Sequence, residues 1–231
     1  MARVLIVLAH PDADSLAARW AGESAKAARG AAHDVLRSDL YAMDFDPVER
    51  MQGAAPDAEV EKMRRADWVL FHFPLWWFGP PAILKGWIDR VLFSDAYFAS
   101  EGSFESGPLA GKRAVFCVST AASALHCGPS GQFGDARMQL WPLAHALRYA
   151  GVSVLEPYII PGIGASQSAA ERILMDGQIA RVLADEPKRM AAFDRLPVWA
   201  SNPSSNFDAS GRLVPDAPVY SAFIRHDDGS Y

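Results

Sequence analysis

The chain is poor in the features that announce most familiar chemistries. Among its 231 residues there are two cysteines, Cys117 in an apolar run and Cys127 in a Gly-rich loop, and their separation fits neither a redox C-x-x-C nor a zinc pattern. Both are expected to be free thiols in a reducing cytoplasm. No Lys/Arg-rich run occurs and the net charge is only -5, which argues against nucleic acid or an anionic membrane as the main partner. Long apolar runs are missing as well. The opening VLIVLA is about one strand long and meets HPDAD, too short and too soon acidic for a leader or a membrane span.

Other absences narrow the chemistry. The six histidines show neither H-x-x-x-H nor H-E-x-x-H spacing and the acidic residues fall mainly on polar faces, so no metal is expected. His33, His145 and His226 read as structural or solvent-exposed. Ser119 and Ser123 lack a G-x-S-x-G setting, which sets aside a serine hydrolase. GPLAGK at 107–112 is one residue short of a phosphate-binding P-loop, has Arg113 where Ser or Thr is needed, and precedes a strand instead of following one. The first strand-to-helix loop has no G-x-G-x-x-G, which disfavours a Rossmann dinucleotide fold.

What the chain does have is alternation. Apolar runs of strand length (ARVLIVLA, 33–39, WVLFHF, RAVFCVST, VSVLEPYII) alternate with segments of helical period, the pattern of a parallel sheet covered on both faces. Helices are predicted from about Ser15 to Arg29 with Gly30 closing it, after residue 82, over about 135–150 with a kink at Pro142, and over about 167–185. With 50% hydrophobic residues one core is expected: an α/β domain over 1–197, a doubly wound five-stranded parallel sheet of flavodoxin-like order 2-1-3-4-5. Residues 198–231, rich in Pro, Ser, Asn and Asp, read as an extended C-terminal arm packing on the domain or its dimer partner, with Trp199, Phe207 and Phe223 as exposed apolar residues that embrace the second subunit or serve another partner.

In that order a ligand sits at the carboxyl ends of strands one, three and four, where this chain has its unusual loops. AHPDADSLA leads into a helix N-terminus, whose free N–H groups and the Ser15 hydroxyl can hold a phosphate, or Ser15 can simply cap the helix. WWFGPP places Trp76, Trp77 and Phe78 on a turn stopped by Gly79, Pro80 and Pro81, and STAASA is a loop of small residues. A phosphate site, an aromatic platform and a small-residue loop on one sheet edge suit a planar phosphorylated cofactor such as a flavin.

The stretch FPLWWFGPPAILKGWIDRV resembles a signature of the flavodoxin-like NAD(P)H:quinone oxidoreductases of the DT-diaphorase type and their bacterial relatives, and AHPDADSLA, STAASA, GD followed by LWP, and LEPYIIPGIG are similar to flanking family segments. The resemblance implies FAD, or less often FMN, at a homodimer interface. Hydride would pass from NAD(P)H to the flavin and then to a quinone in a two-step exchange. It implies that His10, Ser15, Leu16 and Ala17 hold the phosphates and that Pro74, Leu75, Trp76, Trp77 and Phe78 cradle the ring, with Ser119, Thr120, Ala121 and Ala122 opposite. Trp77 and Phe78 would lie at the reacting centre, and Tyr97 and Phe98 would fall in the segment that brings aromatics to the acceptor pocket of the neighbouring subunit.

The chain departs from the family in two places. A tyrosine and a histidine that precede the G-D pair in mammalian-type members correspond here to Cys127, beside the cofactor, and Phe133, beside the substrate. His126 is the one neighbour able to handle a proton in their stead, and is otherwise an exposed loop histidine. Alanines also stand where the family often has glycines in the small-residue loop. Alternatives within the resemblance are nitro or azo reduction and a flavin-binding ancillary subunit of a bacterial potassium-efflux system.

Overall fold

The three long apolar runs, Arg3–Leu8 (β1), Trp68–Pro74 (β3) and Arg113–Ser119 (β4), lie side by side as parallel strands in a computed structural model that describes residues 1–50, 56–92, 102–164 and 168–227. Asp34–Asp39 (β2) pairs with β1 on one side, and Ser153–Val154 (β5) and Tyr158–Ile160 (β6) both pair with β4 on the other. The order β2-β1-β3-β4-β5, all parallel, is the one expected. The predicted fifth strand is split. Its two halves share the same sheet position, separated at Leu155–Pro157, where a proline without an N–H cannot continue a ladder.

Alternate residues of each strand enter two cores. One holds Leu5, Val7, Val69, Phe71, Phe73, Phe116 and Val118 against Asp57–Arg65 (α2), Ala82–Leu92 (α3) and Ala136–Tyr149 (α4). The other holds Val4, Ile6, Leu8, Leu70, Val115, Cys117 and Ile160 against Leu16–Gly30 (α1), Ala169–Ala184 (α5) and Glu186–Ala191 (α6). Both cysteines are free and buried. Pro142, expected to kink its helix, lies inside an uninterrupted α4. Gly86 is fixed by a neighbour: a Cβ there would meet the Pro47 carbonyl oxygen at 2.2 Å, so only glycine lets the 40s loop touch α3.

Each core contains one buried tryptophan bonded to one buried carboxylate. Trp87 Nε1 donates to Glu59 at 2.8 Å, and Glu59 also accepts from Ser38 and from Lys62. On the opposite face Trp20 Nε1 donates to Glu186 at 2.5 Å, and Ser24 and Arg189 donate to the same carboxylate. Burial pushes the Glu186 carboxyl up, opposed by Arg189 and by the hydrogen bonds from Trp20 and Ser24. These two glutamates correct the expectation that the acidic residues mark polar faces.

The segment beyond Pro197 packs on the domain at its start, while Phe223 farther along is exposed as expected. Trp199 N donates to the Val154 carbonyl at 2.9 Å, Val198 bridges Leu155, and the Trp199 side chain is 6% exposed within the first core, a correction to its reading as a surface residue. Phe223 stacks on Trp141 at 4.6 Å. Among the described residues no helix is long and apolar enough to cross a membrane.

Candidate active site

The loops after β1, β3 and β4 meet at one edge of the sheet. Ala9 N donates to the His72 carbonyl at 3.0 Å and Leu75 N to the Ser119 carbonyl at 2.8 Å, so the three loops leave the sheet tied to one another. Their rings continue the contact. His10 lies 5.6 Å from Trp76 by ring centroids, and Phe78 lies 6.4 Å edge-on from Phe133.

The loop after β1 is a preformed helix start. Ser15 is the N-cap of α1 and its Oγ accepts from Ala18 N at 3.2 Å. The Leu16 and Ala17 side chains are buried, and their N–H groups have no partner among the described residues, as the first turn of a helix requires. Asp12 N donates to His10 Nδ1 at 3.0 Å, so the neutral His10 ring carries its proton on Nε2. Partial positive charge at the helix start and an imidazole N–H suit an anion here.

The loop after β3 is the unusual one. Trp76 N donates to the Gly79 carbonyl at 2.9 Å and Gly79 N to the Trp76 carbonyl at 3.2 Å, with Trp77 at φ 50° and Phe78 at φ 66°. Both central residues of this two-residue hairpin are left-handed, as in a type I′ turn, where Asn-Gly is usual. For residues with a Cβ this costs roughly 1–2 kcal/mol each. Gly79, expected with Pro80 and Pro81 to stop helix and ladder at this point, has no such φ. The strained turn holds Trp77 at 95%, Phe78 at 56% and Trp76 at 42% exposure, and the Trp77 and Phe78 N–H groups have no partner among the described residues. Pro74 and Leu75 are buried beneath it.

The loop after β4 is closed by its own bonds. Thr120 N donates to the Ile160 carbonyl and Ala122 N to Thr120 Oγ1, leaving Ser119 and Thr120 buried and Ala121 exposed. Cys127 is buried, its thiol 3.8 Å from the Ala122 carbonyl, and burial pushes that thiol up. Gly131 passes so close to the His126 carbonyl that a Cβ would sit at 2.2 Å. This close crossing brings His126 and Phe133 together as stacked rings at 5.3 Å, and Ser123 Oγ lies 2.8 Å from His126 Nδ1.

Of the residues expected here, His10, Ser15, Leu16, Ala17, Pro74 to Phe78, Ser119 to Ala122, His126, Cys127 and Phe133 are gathered on these three loops, whereas Tyr97 and Phe98 lie outside the described residues. Sequence reasoning missed the left-handed backbone at Trp77 and Phe78, for which neither residue type gives a signal, and it missed the Ser123–His126 contact, whose only trace is a spacing of three along a loop.

A flavodoxin-like fold family model matches residues 2–180. The chain is 32% identical to rat NAD(P)H dehydrogenase [quinone] 1, with 89% of this chain and 82% of the relative covered. It is 37% identical to human ribosyldihydronicotinamide dehydrogenase [quinone] over 68% of this chain and 80% of the relative. A solved structure of a candidate quinone reductase from Klebsiella pneumoniae superimposes with a TM-score of 0.81 at 29% identity, covering 94% of this chain and 95% of the other. With its sheet order, its three loops and these likenesses, the chain belongs to the flavodoxin-like family that includes the NAD(P)H dehydrogenases [quinone].

Proposed function

We propose that the three-loop edge binds a flavin and that the protein is an NAD(P)H:quinone oxidoreductase, moving two electrons as hydride from the nicotinamide to a quinone-like acceptor in two successive steps. The observation that carries this reading is the Trp77–Phe78 turn. A fold keeps backbone in the left-handed region at two large aromatics only when something over-determines it, and such strain gathers at ligand-binding positions. Here it holds three exposed rings and two unpartnered N–H groups beside a helix start that suits an anion. The residues therefore fit a planar, phosphorylated group.

In this reading the Leu16 and Ala17 N–H groups, with Ser15 and His10, hold the phosphates. Trp76, Trp77 and Phe78 flank the ring over the base formed by Pro74 and Leu75. The Trp77 and Phe78 N–H groups bond its polar edge, and Ser119 to Ala122, with Cys127 behind them, form the opposite wall. A bound flavin supplies the hydride-accepting centre, and the protein supplies orientation and exclusion of water. FAD rather than FMN is the form we propose, with a homodimer completing the acceptor pocket through Phe133, Tyr97 and Phe98. Both follow from the resemblance of the aromatic-turn stretch at 73–91, while two structural neighbours are complexes with FMN. We place the enzyme in the cytoplasm, the compartment that suits two free thiols.

The purified protein is expected to be yellow, or to become so on addition of FAD, with mass analysis of the released chromophore separating FAD from FMN. Trp77→Ala removes almost no buried surface, so it is expected to leave the fold intact and weaken flavin retention several-fold, as a stacking loss of about 0.5–1.5 kcal/mol implies. A colourless protein that leaves flavin fluorescence unchanged would overturn the reading.

A further inference from the structure

The loop after β4 contains a pair that flavin binding does not use. His126 is exposed, but its ring is fixed from two sides: Phe133 stacks on one face at 5.3 Å and Ser123 Oγ meets Nδ1 at 2.8 Å. Ser123 Oγ is also 3.4 Å from the His126 backbone N–H, and His126 N donates to the Ser123 carbonyl at 3.0 Å. The serine is therefore part of the turn that carries the histidine. Gly131 allows the chain to cross the His126 carbonyl, and Phe133 N donates to that same carbonyl at 2.9 Å. Phe133 in turn meets the edge of Phe78. Phe133 thus links the held His126 ring to the aromatic turn. Its titratable neighbours along the loop are Cys127, buried with its thiol on the Ala122 carbonyl, and Asp135, whose carboxylate accepts from Arg137 N at the start of α4.

We infer that His126, oriented by Ser123 and shelved on Phe133, delivers the proton that completes reduction of the acceptor, an assignment that rests on the oxidoreductase reading above. A quinone that receives a hydride on one oxygen gains both electrons and one proton, and its second oxygen is left as an anion. One more proton gives the hydroquinone. That proton comes from Nε2–H of the charged imidazole, the N–H bond breaking as the new O–H bond forms, and the neutral ring regains its proton from solvent. Nδ1–H stays on Ser123 Oγ throughout, so Ser123 is a positioning residue that leaves Nε2 as the transferring atom. Exposure serves this role, since a donor at the mouth is recharged directly by water. A buried thiol is a poor substitute, which sets Cys127 aside.

The test has one arm that needs no flavin. In the flavin-free protein, ¹⁵N NMR of the neutral His126 ring is expected to find the proton on Nδ1 and donated to Ser123 Oγ, the direction of the 2.8 Å contact that the inference requires, and the preference is expected to be lost in Ser123→Ala and kept in Ser123→Thr. A ring that carries its proton on Nε2 in the unaltered protein overturns the inference. In the loaded enzyme, stopped-flow is expected to show His126→Ala reduced by NAD(P)H within two-fold of the unaltered rate, but reoxidised by 2-hydroxy-1,4-naphthoquinone about a hundred-fold more slowly, the low end of general-acid effects because water competes. Added imidazole is expected to restore part of that rate. Unchanged reoxidation in a His126→Ala protein that still holds flavin overturns the proton role and leaves the oxidoreductase reading standing; failure of every variant and of the parent to hold flavin overturns that reading instead.

Discussion

At the scale of single residues, the turn at Trp77 and Phe78 sets stability against binding. Its two left-handed φ angles suit Asn and Gly far better than Trp and Phe, so the double change Trp77→Asn with Phe78→Gly is expected to raise the unfolding free energy of the flavin-free protein by about 1–3 kcal/mol, the strain being roughly 1–2 kcal/mol at each position. The same variant is expected to lose flavin retention. Denaturant unfolding and flavin titration check the two halves, and a variant no more stable than its parent would show that the turn stores no strain. The aromatics themselves were legible in the sequence, because three large rings before G-P-P have few other uses. Their backbone was not. Conformation there is imposed by long-range ties such as Leu75 N to the Ser119 carbonyl, and no local preference of Trp or Phe foretells it.

At the scale of elements, helical period and β-branched runs located most of the helices and strands to within a residue or two: Trp68–Pro74 against 68–73, and Ala136–Tyr149 against about 135–150. What pattern could not reveal is which polar residue turns inward. Glu59 and Glu186 look like members of polar helix faces, yet each is the acceptor for a buried tryptophan on a different helix and is paired with a cation three residues on, Lys62 and Arg189. They pin α2 to α3 and α6 to α1 at one angle. Removing one partner of a buried pair leaves the other charge unmatched, so Glu186→Ala is expected to destabilise by about 3–5 kcal/mol. Denaturant unfolding checks this, and a loss below 1 kcal/mol would mean that Arg189 finds water without help. Arg189 also lies over the Tyr158 ring at 4.2 Å, so the same loss is expected to loosen the β6 side of the sheet.

At the scale of the whole molecule, one rung of the sheet couples the fold to pH. Leu8, His72, Cys117 and Tyr158 stand in register across β1, β3, β4 and β6, and both ring nitrogens of His72 are buried with no hydrogen-bond partner. Burial, with smaller contributions from Arg189 and Arg37, lowers its pKa to about 3. Between that value and the ordinary histidine range near 6.5 the unfolded chain binds a proton that the folded chain refuses. The stability from this site is therefore present at neutral pH and lost as pH falls through that window, with a slope of up to about 1.4 kcal/mol per unit. His72→Leu is expected to flatten that part of the profile relative to its parent, and parallel profiles would show that His72 takes up its proton in the folded chain as readily as in the unfolded one. The sheet order was legible from alternation alone, but the course of the last segment was not, because a Pro- and Ser-rich stretch carries no period to place it. Its first residues lie along β5, with Val198 bridging Leu155 and Trp199 bonded to Val154. A two-residue edge strand with open peptide groups invites a second chain to pair with it. The bridge closes that approach, so the segment acts as a guard on colloidal stability: a chain cut after Leu196 is expected to stay folded at its centre but to precipitate on concentration, its bare sheet edge recruiting copies of itself.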